Sequence, residues 1–200
     1  MIRNLILDFG DVFINLDKPA TARAMMPFGF TGIDADLQNL FNAYEKGTIS
    51  SDAFLNATAQ RFPKASRAEL VAAWNAILLD FPDTRLEFLE QLAAEGRYRL
   101  FLLSNTNEIH IDHVKKVMGQ EKFNSFQNAF EVFYLSYEMG MRKPDSEIFQ
   151  FVLDQNQLQP EETLFVDDTL ENISSAQQLG IQTWHLQVGQ EDFLELKSHL

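Results

Sequence analysis

The sequence predicts an open α/β fold in which helices cover both faces of a doubly wound parallel sheet. Three short runs are apolar on both faces and end in small or acidic residues, as buried parallel strands do. They are Leu5 to Leu7, Leu100 to Leu103 and Leu164 to Val166. Helical patterns separate these runs, and such alternation of strands and helices is typical of a doubly wound sheet.

The helices that follow the later strands are predicted from their ends. Asp83 is predicted to cap the helix TRLEFLEQLAAEG, which Gly96 closes, and Asp145 to cap the helix SEIFQFVLDQNQ. Residues 171–179 have helical spacing and stop at Gly180.

Residues 17–82 differ from the rest, because they hold four helical patterns and no convincing strand. Among these patterns are Asp34 to Tyr44, a segment from Ser50 to Arg61, and a helix from Ser66 whose letters SRAE have the spacing of a capping box. The sequence therefore predicts an α/β core of residues 1–16 and 83–200, with residues 17–82 as a helical insertion.

The charge of the chain bears on its partners. It has 16 Lys and Arg against 29 Asp and Glu, a net charge of -13, which repels nucleic-acid phosphates and anionic lipid. We therefore expect neither a nucleic acid nor a membrane as partner. No apolar stretch reaches the roughly 18 residues of a membrane span, and no secretory signal is apparent, which favours a cytoplasmic location. Without cysteine, thiolate catalysis and sulfur-ligated metals are excluded.

Polar side chains stand where the three predicted strands end. These are Asp8, Ser104, Asn105, Asp167 and Asp168. The carboxyl ends of parallel strands converge on one crevice, and the insertion after the first strand would lie over the same edge. Carboxylates gathered there repel each other unless a cation sits among them, and Mg2+ suits such oxygen ligands.

The same crevice is predicted to bind an anion. Ser104 and the amides after it can donate hydrogen bonds, and Lys143, just before a helix start, can reach the crevice. A carboxylate nucleophile, a metal ion, a hydroxyl and a lysine together describe phosphoryl transfer through an aspartyl-phosphate. The expected partner is a small phosphorylated metabolite.

Four motifs in order resemble those of the haloacid dehalogenase superfamily. They are LILDFGDVF, LFLLSN, the lysine of RKPDSEIF, and LFVDDTLEN followed by AQQLG. The resemblance covers essentially the whole chain and implies a Rossmann-like core. The helical insertion is similar to the cap that one large branch of that superfamily carries in this place.

The resemblance also implies roles for the metal ligands. Asp8 would attack phosphorus and bind Mg2+, and Gly10 would offer its backbone carbonyl to the metal. Asp168 would be a direct ligand, and Asp167 would act mostly through a bound water. Asn172, four residues after Asp168, would orient the acidic pair.

The phosphate-binding roles fall on the second and third motifs. Ser104 and Lys143 would hold the phosphoryl oxygens, and Lys143 would also offset the charge of Asp8. Asn105 and Thr106 would contact the phosphate or its leaving group through amides or side chains.

One position departs from the usual pattern. Most phosphatases of this superfamily have a second aspartate two residues after the nucleophile, where Gly10 stands here. Without that acid, which commonly contributes about 10²–10⁴-fold, acidic leaving groups are favoured: anomeric sugar, acyl and aryl phosphates. The chain resembles a smaller branch with DLGNV or DFGGV that includes sugar-1-phosphate phosphatases. Asp11 would replace the acid, hold a residue of the insertion, or cap the turn.

Two other functions are considered. A haloacid dehalogenase also lacks the second acid, but needs no Mg2+, so Asp167 and Asp168 count against it. A catalytically weakened binding or regulatory protein would keep the fold and lose turnover. His110 and His113 are three residues apart on a predicted helix and could share a metal ion, but no third ligand stands near, so we interpret them as ordinary partly exposed residues. We interpret Trp74 as a packing residue, with lining of the substrate space as the alternative.

Overall fold

A computed structural model of residues 1–200 has a five-stranded parallel sheet at its centre, which confirms the predicted fold class. The strand order is β3-β2-β1-β4-β5, with every neighbouring pair parallel. The strands are β1 (Asn4–Leu7), β2 (Arg99–Ser104), β3 (Val132–Leu135), β4 (Thr163–Asp167) and β5 (Gln182–His185). The three strands predicted from the sequence are the central ones, and β3 and β5 form the edges.

Ten α-helices connect and cover the strands, together with three short 3-10 helices. The α-helices are α1 (Ala20–Met25), α2 (Ala35–Glu45), α3 (Ser51–Arg61), α4 (Arg67–Asn75), α5 (Asp83–Glu95), α6 (Glu108–Met118), α7 (Gln120–Asn128), α8 (Ser136–Met139), α9 (Ser146–Asn156) and α10 (Leu170–Gln178). None of them is long and apolar enough to cross a membrane.

Alternate side chains of β1 enter two different apolar cores. Leu5 and Leu7 belong to a cluster of 24 buried residues on one face, whereas Ile6 belongs to a cluster of 12 on the other. Successive strand residues point to opposite faces, so a strand covered on both sides is apolar throughout. This is why the central strands could be predicted from unbroken apolar runs.

Helices α1 to α4 form the helical insertion and pack around a third cluster of nine buried residues, which includes Tyr44, Phe54 and Leu70. The chain enters and leaves this region side by side. The amide of Asp17 donates to the Ile77 carbonyl at 2.9 Å, and the amide of Leu79 donates to the Asn15 carbonyl at 2.9 Å. The insertion is thus joined to the sheet through two paired connections.

The predicted helix ends are correct in the insertion, whereas the two aspartate caps predicted later in the chain do not form. Ser66 forms the complete capping box with Glu69. Asp83 is the first residue of α5 and not its cap, because Pro82 occupies that position. Asp145 does occupy the cap position of α9, but its carboxylate makes no capping bond and instead accepts from Lys46 at 2.7 Å.

Candidate active site

The carboxyl ends of β1, β2 and β4 open into a crevice of about 420 Å³ beneath the insertion. Leu7 pairs with Leu102 on one side and Val166 on the other, so the residues that follow these positions come together at one edge. Of the residues singled out from the sequence, the crevice wall includes Asp8, Gly10, Ser104, Asn105, Thr106, Lys143, Asp168 and Asn172. The topology therefore gathers four distant motifs in one place.

Asp8 and Lys143 form a buried ion pair at the floor of the crevice. Lys143 Nζ donates to Asp8 Oδ1 and to Asp167 Oδ2, each at 2.6 Å, and its side chain is only 1% exposed. Burial raises the pKa of Asp8 to about 7, with Asp167 and Asp168 adding to the rise and Lys143 opposing it. Burial alone would lower the pKa of Lys143, but Asp167 and Asp8 raise it, so the ammonium stays charged.

Asp167 is held on every side by the protein. Its Oδ1 accepts from the Thr169 amide at 2.8 Å, and Asn172 Nδ2 lies 3.0 Å from both of its oxygens. Because Lys143 takes Oδ2 as well, this fully buried carboxylate has little capacity left for another partner. Asn172 contacts the acidic pair as its spacing suggested, through Asp167.

Asp168 has a different environment, because its main partner is an exposed lysine side chain. Lys18 Nζ contacts Asp168 Oδ2 and lies 3.1 Å from Asp11 Oδ2, while its own side chain is 56% exposed. Lys18 lies at the start of the insertion, and no sequence pattern distinguishes it from the surface lysines. Asp168 is therefore the carboxylate of the pair that a ligand can most readily reach.

Three carboxylates of this site fit a metal ion. One oxygen each of Asp8, Asp167 and Asp168 lie within 4.8 Å of one another. Oxygen donors of this kind at one buried point suit a hard divalent cation. The fit is chemical as well as geometric, since burial of three acids is unfavourable without further positive charge.

Residues of the second motif contact both the crevice and the backbone of the third motif. Asn105 makes two bonds to the Lys143 backbone, donating to its carbonyl at 2.8 Å and accepting from its amide at 2.9 Å. The Thr106 amide donates to Ser136 Oγ at 2.9 Å, so it does not face a phosphate. Ser104, at the end of β2, lines the crevice directly. The Asn105 side chain and the Thr106 amide thus bond to other parts of the protein. These bonds compete with the contact to the phosphate or its leaving group that the resemblance implies.

Asp11 has a backbone and side-chain arrangement that separates it from the crevice. Its φ is +56°, and Oδ1 accepts from the Leu16 amide at 3.0 Å. Oδ2 contacts Lys18, so this buried carboxylate caps the turn and holds a residue at the edge of the insertion. It does not line the crevice, and the idea that it replaces the missing acid finds no support in its position.

The crevice is also lined by residues to which the sequence analysis assigned no role in the site: Glu45, His110 and Arg142. Arg142 Nε donates to Glu45 at 3.0 Å, and burial raises the pKa of Glu45. His110 Nε2 lies 3.1 Å from the Trp74 carbonyl, which makes it a contact between α6 and the insertion and more than an ordinary partly exposed residue. Burial lowers the pKa of His110 to about 4, so its ring is neutral at pH 7.

A family model described as haloacid dehalogenase-like hydrolase matches residues 22–180. That match covers well over half of the chain. The chain belongs to the haloacid dehalogenase-like hydrolases. The family assignment agrees with the resemblance carried by the four motifs, and it makes the protein an enzyme of the hydrolase class.

Two curated relatives of this haloacid dehalogenase-like hydrolase show how varied such chains are. A D-ribitol-5-phosphate phosphatase of Bacteroides thetaiotaomicron is 28% identical over 195 residues, covering 94% of each chain. A drimenol cyclase of Aspergillus calidoustus is 32% identical over 188 residues, covering 92% of this chain but 34% of the cyclase. Only about a third of the cyclase is therefore matched.

Solved structures are similar over almost the whole hydrolase. A haloacid dehalogenase family enzyme of Bacteroides thetaiotaomicron, an aspartate-to-alanine variant in complex with magnesium and inorganic phosphate, has a TM-score of 0.87 and 36% identity, covering 98% of this chain and 99% of that one. A magnesium complex of the same enzyme has a TM-score of 0.87 and 38% identity, covering 98% of each. A dehalogenase with a TM-score of 0.56 is 19% identical, covers 98% and 89%, and shows the shared fold alone.

Proposed function

We propose that this hydrolase is a Mg2+-dependent phosphatase that acts on small phosphorylated metabolites through an aspartyl-phosphate on Asp8. The observation that carries the proposal is the buried cluster of Asp8, Lys143, Asp167 and Asp168 at the floor of one crevice. Such a cluster combines a nucleophile, a fixed positive charge and oxygen ligands for a cation.

Mg2+ is proposed as the cofactor because the donor set suits it and because similar enzymes form magnesium complexes. Asp8, Asp168 and the Gly10 carbonyl would hold the ion directly. Asp167 would act mostly through a bound water, because Lys143, Asn172 and the Thr169 amide leave its oxygens less accessible to the ion than those of Asp168. The ion would supply positive charge to the phosphoryl oxygens when bound.

In the proposed reaction the Asp8 carboxylate attacks phosphorus, and the bond from phosphorus to the leaving oxygen breaks with its electron pair on that oxygen. Lys143 and Ser104 would hold the phosphoryl oxygens during this step. Water then attacks the phosphorus of the aspartyl-phosphate, which restores the carboxylate and yields inorganic phosphate. Lys143 contacts Asp8 through Oδ1, which leaves the second carboxylate oxygen free of this contact.

The leaving group is proposed to be acidic. Position 10 offers no side chain that could protonate it, and Asp11 is engaged with Leu16 and Lys18. Sugar-1-phosphates, acyl phosphates and aryl phosphates lose least from the missing acid, because their leaving oxygens depart without full protonation. The enzyme would therefore prefer them to alkyl phosphates.

The similar phosphatases differ in the organic part of their substrates, so they do not identify that part for this enzyme. One is a D-ribitol-5-phosphate phosphatase. Another is a sesquiterpene phosphatase of Aspergillus oryzae, 41% identical over 117 residues that cover 58% of this chain and 56% of the relative. A polyol phosphate is accordingly a second candidate, and it belongs in the same assay as the acidic leaving groups.

Two other functions receive less support from the site. A dehalogenase would have no use for the acidic pair Asp167 and Asp168, and the similar dehalogenase structure shares the fold alone. A weakened binding protein would not be expected to keep the Asp8 and Lys143 ion pair at 2.6 Å.

The test is a panel of sugar-1-phosphates, acetyl phosphate, an aryl phosphate and D-ribitol 5-phosphate, each with Mg2+ and with a chelator. We expect metal-dependent release of phosphate that Asp8→Asn abolishes. Asp154→Asn, the same change at an exposed residue of α9 outside the crevice, should retain it. Turnover that is independent of metal, or that survives Asp8→Asn, would contradict the proposal.

The domain boundaries and the location belong to the same proposal. We propose that residues 17–82 form the cap and that residues 1–16 and 83–200 form the core, with the paired connections as the hinge. A cytoplasmic location is proposed from the sequence.

A further inference from the structure

A second cavity of about 200 Å³ lies inside the helical insertion, next to the crevice. Sixteen residues line it, and eleven of them are hydrophobic. Four residues line both spaces, so the cavity adjoins the crevice at a common boundary: Lys18, Glu45, Ile77 and His110. A group that extended from a phosphate in the crevice would therefore enter this cavity across that boundary.

The polar side chains deeper in the cavity already have partners. The Thr21 hydroxyl donates to the Trp74 carbonyl at 3.3 Å, and the Thr58 hydroxyl donates to the Phe54 carbonyl at 2.8 Å. The indole N–H of Trp74 donates to Asn107 Oδ1 at 3.2 Å. None of these donors is left for a ligand. The hydroxyl oxygens of a sugar or polyol placed there would find no free donor, which is unfavourable.

The polar residues at the boundary are also engaged, and they surround the cavity mouth. Lys18 is paired with Asp11 and Asp168, and Glu45 is paired with Arg142. His110 contacts the Trp74 carbonyl through Nε2. Charge is thus confined to the side that faces the phosphate, and the space beyond is bounded by aromatic and aliphatic side chains such as Phe41, Leu55 and Phe62.

We propose that this cavity is the leaving-group subsite and that it takes an apolar group, an aromatic ring or a compact branched hydrocarbon. The proposal rests on the phosphatase function and narrows its substrates. The leaving group of an aryl phosphate is both acidic and apolar, whereas that of a sugar-1-phosphate is acidic but polar. Trp74, for which the sequence allows either a packing role or a contact with substrate, lies on the wall of this subsite.

Substituted phenyl phosphates test the subsite at nearly constant leaving-group acidity. We compare kcat/KM for 4-ethylphenyl phosphate and 4-(hydroxymethyl)phenyl phosphate, which differ by a methyl and a hydroxyl of similar size. The ethyl compound should be favoured about tenfold or more, because the cavity offers the hydroxyl no donor. Across phenyl, 4-methylphenyl and 4-ethylphenyl phosphates, kcat/KM should rise by about fourfold for each added carbon, the equivalent of ~0.8 kcal/mol per buried methylene.

A variant that fills the cavity locates the effect. Ala22→Phe adds a ring from a half-buried position of α1 on the cavity wall, and the preference for the ethyl compound should fall to about twofold or less. Ala53→Phe places the same ring on an exposed position of α3 outside the cavity and should keep the full preference. Thermal unfolding of both variants establishes that they are folded.

The outcomes separate this proposal from the function beneath it. Metal-dependent turnover with no preference between the two compounds, or a preference unchanged by Ala22→Phe, overturns the subsite and leaves the phosphatase intact. A preference for the hydroxymethyl compound would also overturn it. Failure to hydrolyse any phosphate of the series with Mg2+ would overturn both proposals.

Discussion

At the scale of single residues, we expect Gly10 to limit the leaving groups that Asp8 can expel. A Cβ at this position would lie 2.8 Å from Leu16 Cδ1, the end of a flexible side chain, and 3.8 Å from Asp8 Oδ2. The site thus has room for a side chain beside the nucleophile only if Leu16 moves. The glycine removes a proton donor while it leaves the backbone carbonyl in place.

Restoring the acid should widen the range of substrates. In the variant Gly10→Asp with Leu16→Ala, which makes space for the new carboxyl, hydrolysis of an alkyl phosphate should rise by about tenfold to a hundredfold, near the lower end of general acid catalysis. Hydrolysis of an aryl phosphate should change little. The control is Gly10→Ala with Leu16→Ala, which adds the Cβ alone. Equal gains for both substrates would contradict the leaving-group argument.

Lys18 is expected to compete with a metal ion for Asp168. Its Nζ contacts this carboxylate, but its side chain is 56% exposed, so the pair is screened by water. Lys18→Met should tighten Mg2+ binding by up to about fivefold, because an exposed ion pair is worth at most ~1 kcal/mol. Titration calorimetry with Mg2+ and no substrate measures this, and Lys64→Met is a surface control. Weaker Mg2+ binding in Lys18→Met would contradict the competition.

The residues of this site differ in how visible they are in the sequence. Asp8, Ser104 and Asp167 could be predicted to meet because each ends an apolar strand. Lys18 could not be predicted, since its role depends on how the start of the insertion folds back over β4. The contacts of Asn105 could not be predicted either, because its side chain bonds to the Lys143 backbone in the third motif.

At the scale of elements, the contact between the end of α2 and α8 depends on one glycine. Gly47 follows α2 with a φ of +63°, and a Cβ there would lie 1.9 Å from the Tyr137 carbonyl oxygen at α8. Ser136 Oγ donates to the Glu45 carbonyl at 2.7 Å beside it. The end of α2 therefore rests directly on the backbone of α8, at a distance that only glycine permits.

Gly47→Ala should separate these two elements. The change should lower the free energy of unfolding and reduce kcat/KM, because the insertion can no longer lie against α8. Gly96→Ala is the matched control, since Gly96 has a φ of +62° and no atom within 4 Å of its Cβ position. The control should lose about 1–2 kcal/mol for the left-handed conformation alone. Equal losses in the two variants, measured by urea unfolding, would show that the Tyr137 contact is unimportant.

Elements with two buried faces were predictable, and those with one face were not. β3 is half-buried along most of its length, and β5 begins with the exposed Gln182. β5 reads Gln-Thr-Trp-His and lacks the continuous apolar run that marks β1, β2 and β4. β3 reads Val-Phe-Tyr-Leu, which is apolar, but only Leu135 is buried and the strand was not among those predicted. Asp83 was mistaken for a cap because a proline before it takes the cap position, which the letters alone do not resolve.

At the scale of the whole molecule, the fold class and the crevice follow from the order of elements, but the cavity in the insertion does not. Strand ends of a parallel sheet converge in any such fold, so four short motifs were enough to place the crevice. The cavity depends on how four helices leave space between large aromatic side chains. No periodicity in the sequence encodes that space.

His110 should contribute stability to the folded molecule that is lost in acid. Its folded pKa of about 4 lies below the ordinary 6.5, so the unfolded chain binds a proton between these values and the folded protein does not. Stability from this group is present above about pH 6.5 and is lost as pH falls towards 4, by up to about 3 kcal/mol. The bond from His110 Nε2 to the Trp74 carbonyl links this loss to the insertion.

His110→Gln should lose stability at pH 7 but show a smaller fall between pH 7 and pH 4.5 than the parent protein. Urea unfolding at both pH values measures the difference. His199→Gln, near the carboxyl end of the chain, is the control. A fall of the same size in the parent and in His110→Gln would contradict the assignment.

The most direct test of the account is to trap the covalent intermediate. The enzyme is mixed with acetyl phosphate and Mg2+, quenched in acid within its first turnover, digested, and examined by mass spectrometry. We predict one phosphoryl group on the peptide that contains Asp8, absent when Asp8→Asn is used. A phosphoryl group on any other residue, or phosphate release by Asp8→Asn at the parent rate, would contradict the central claim that Asp8 is the nucleophile.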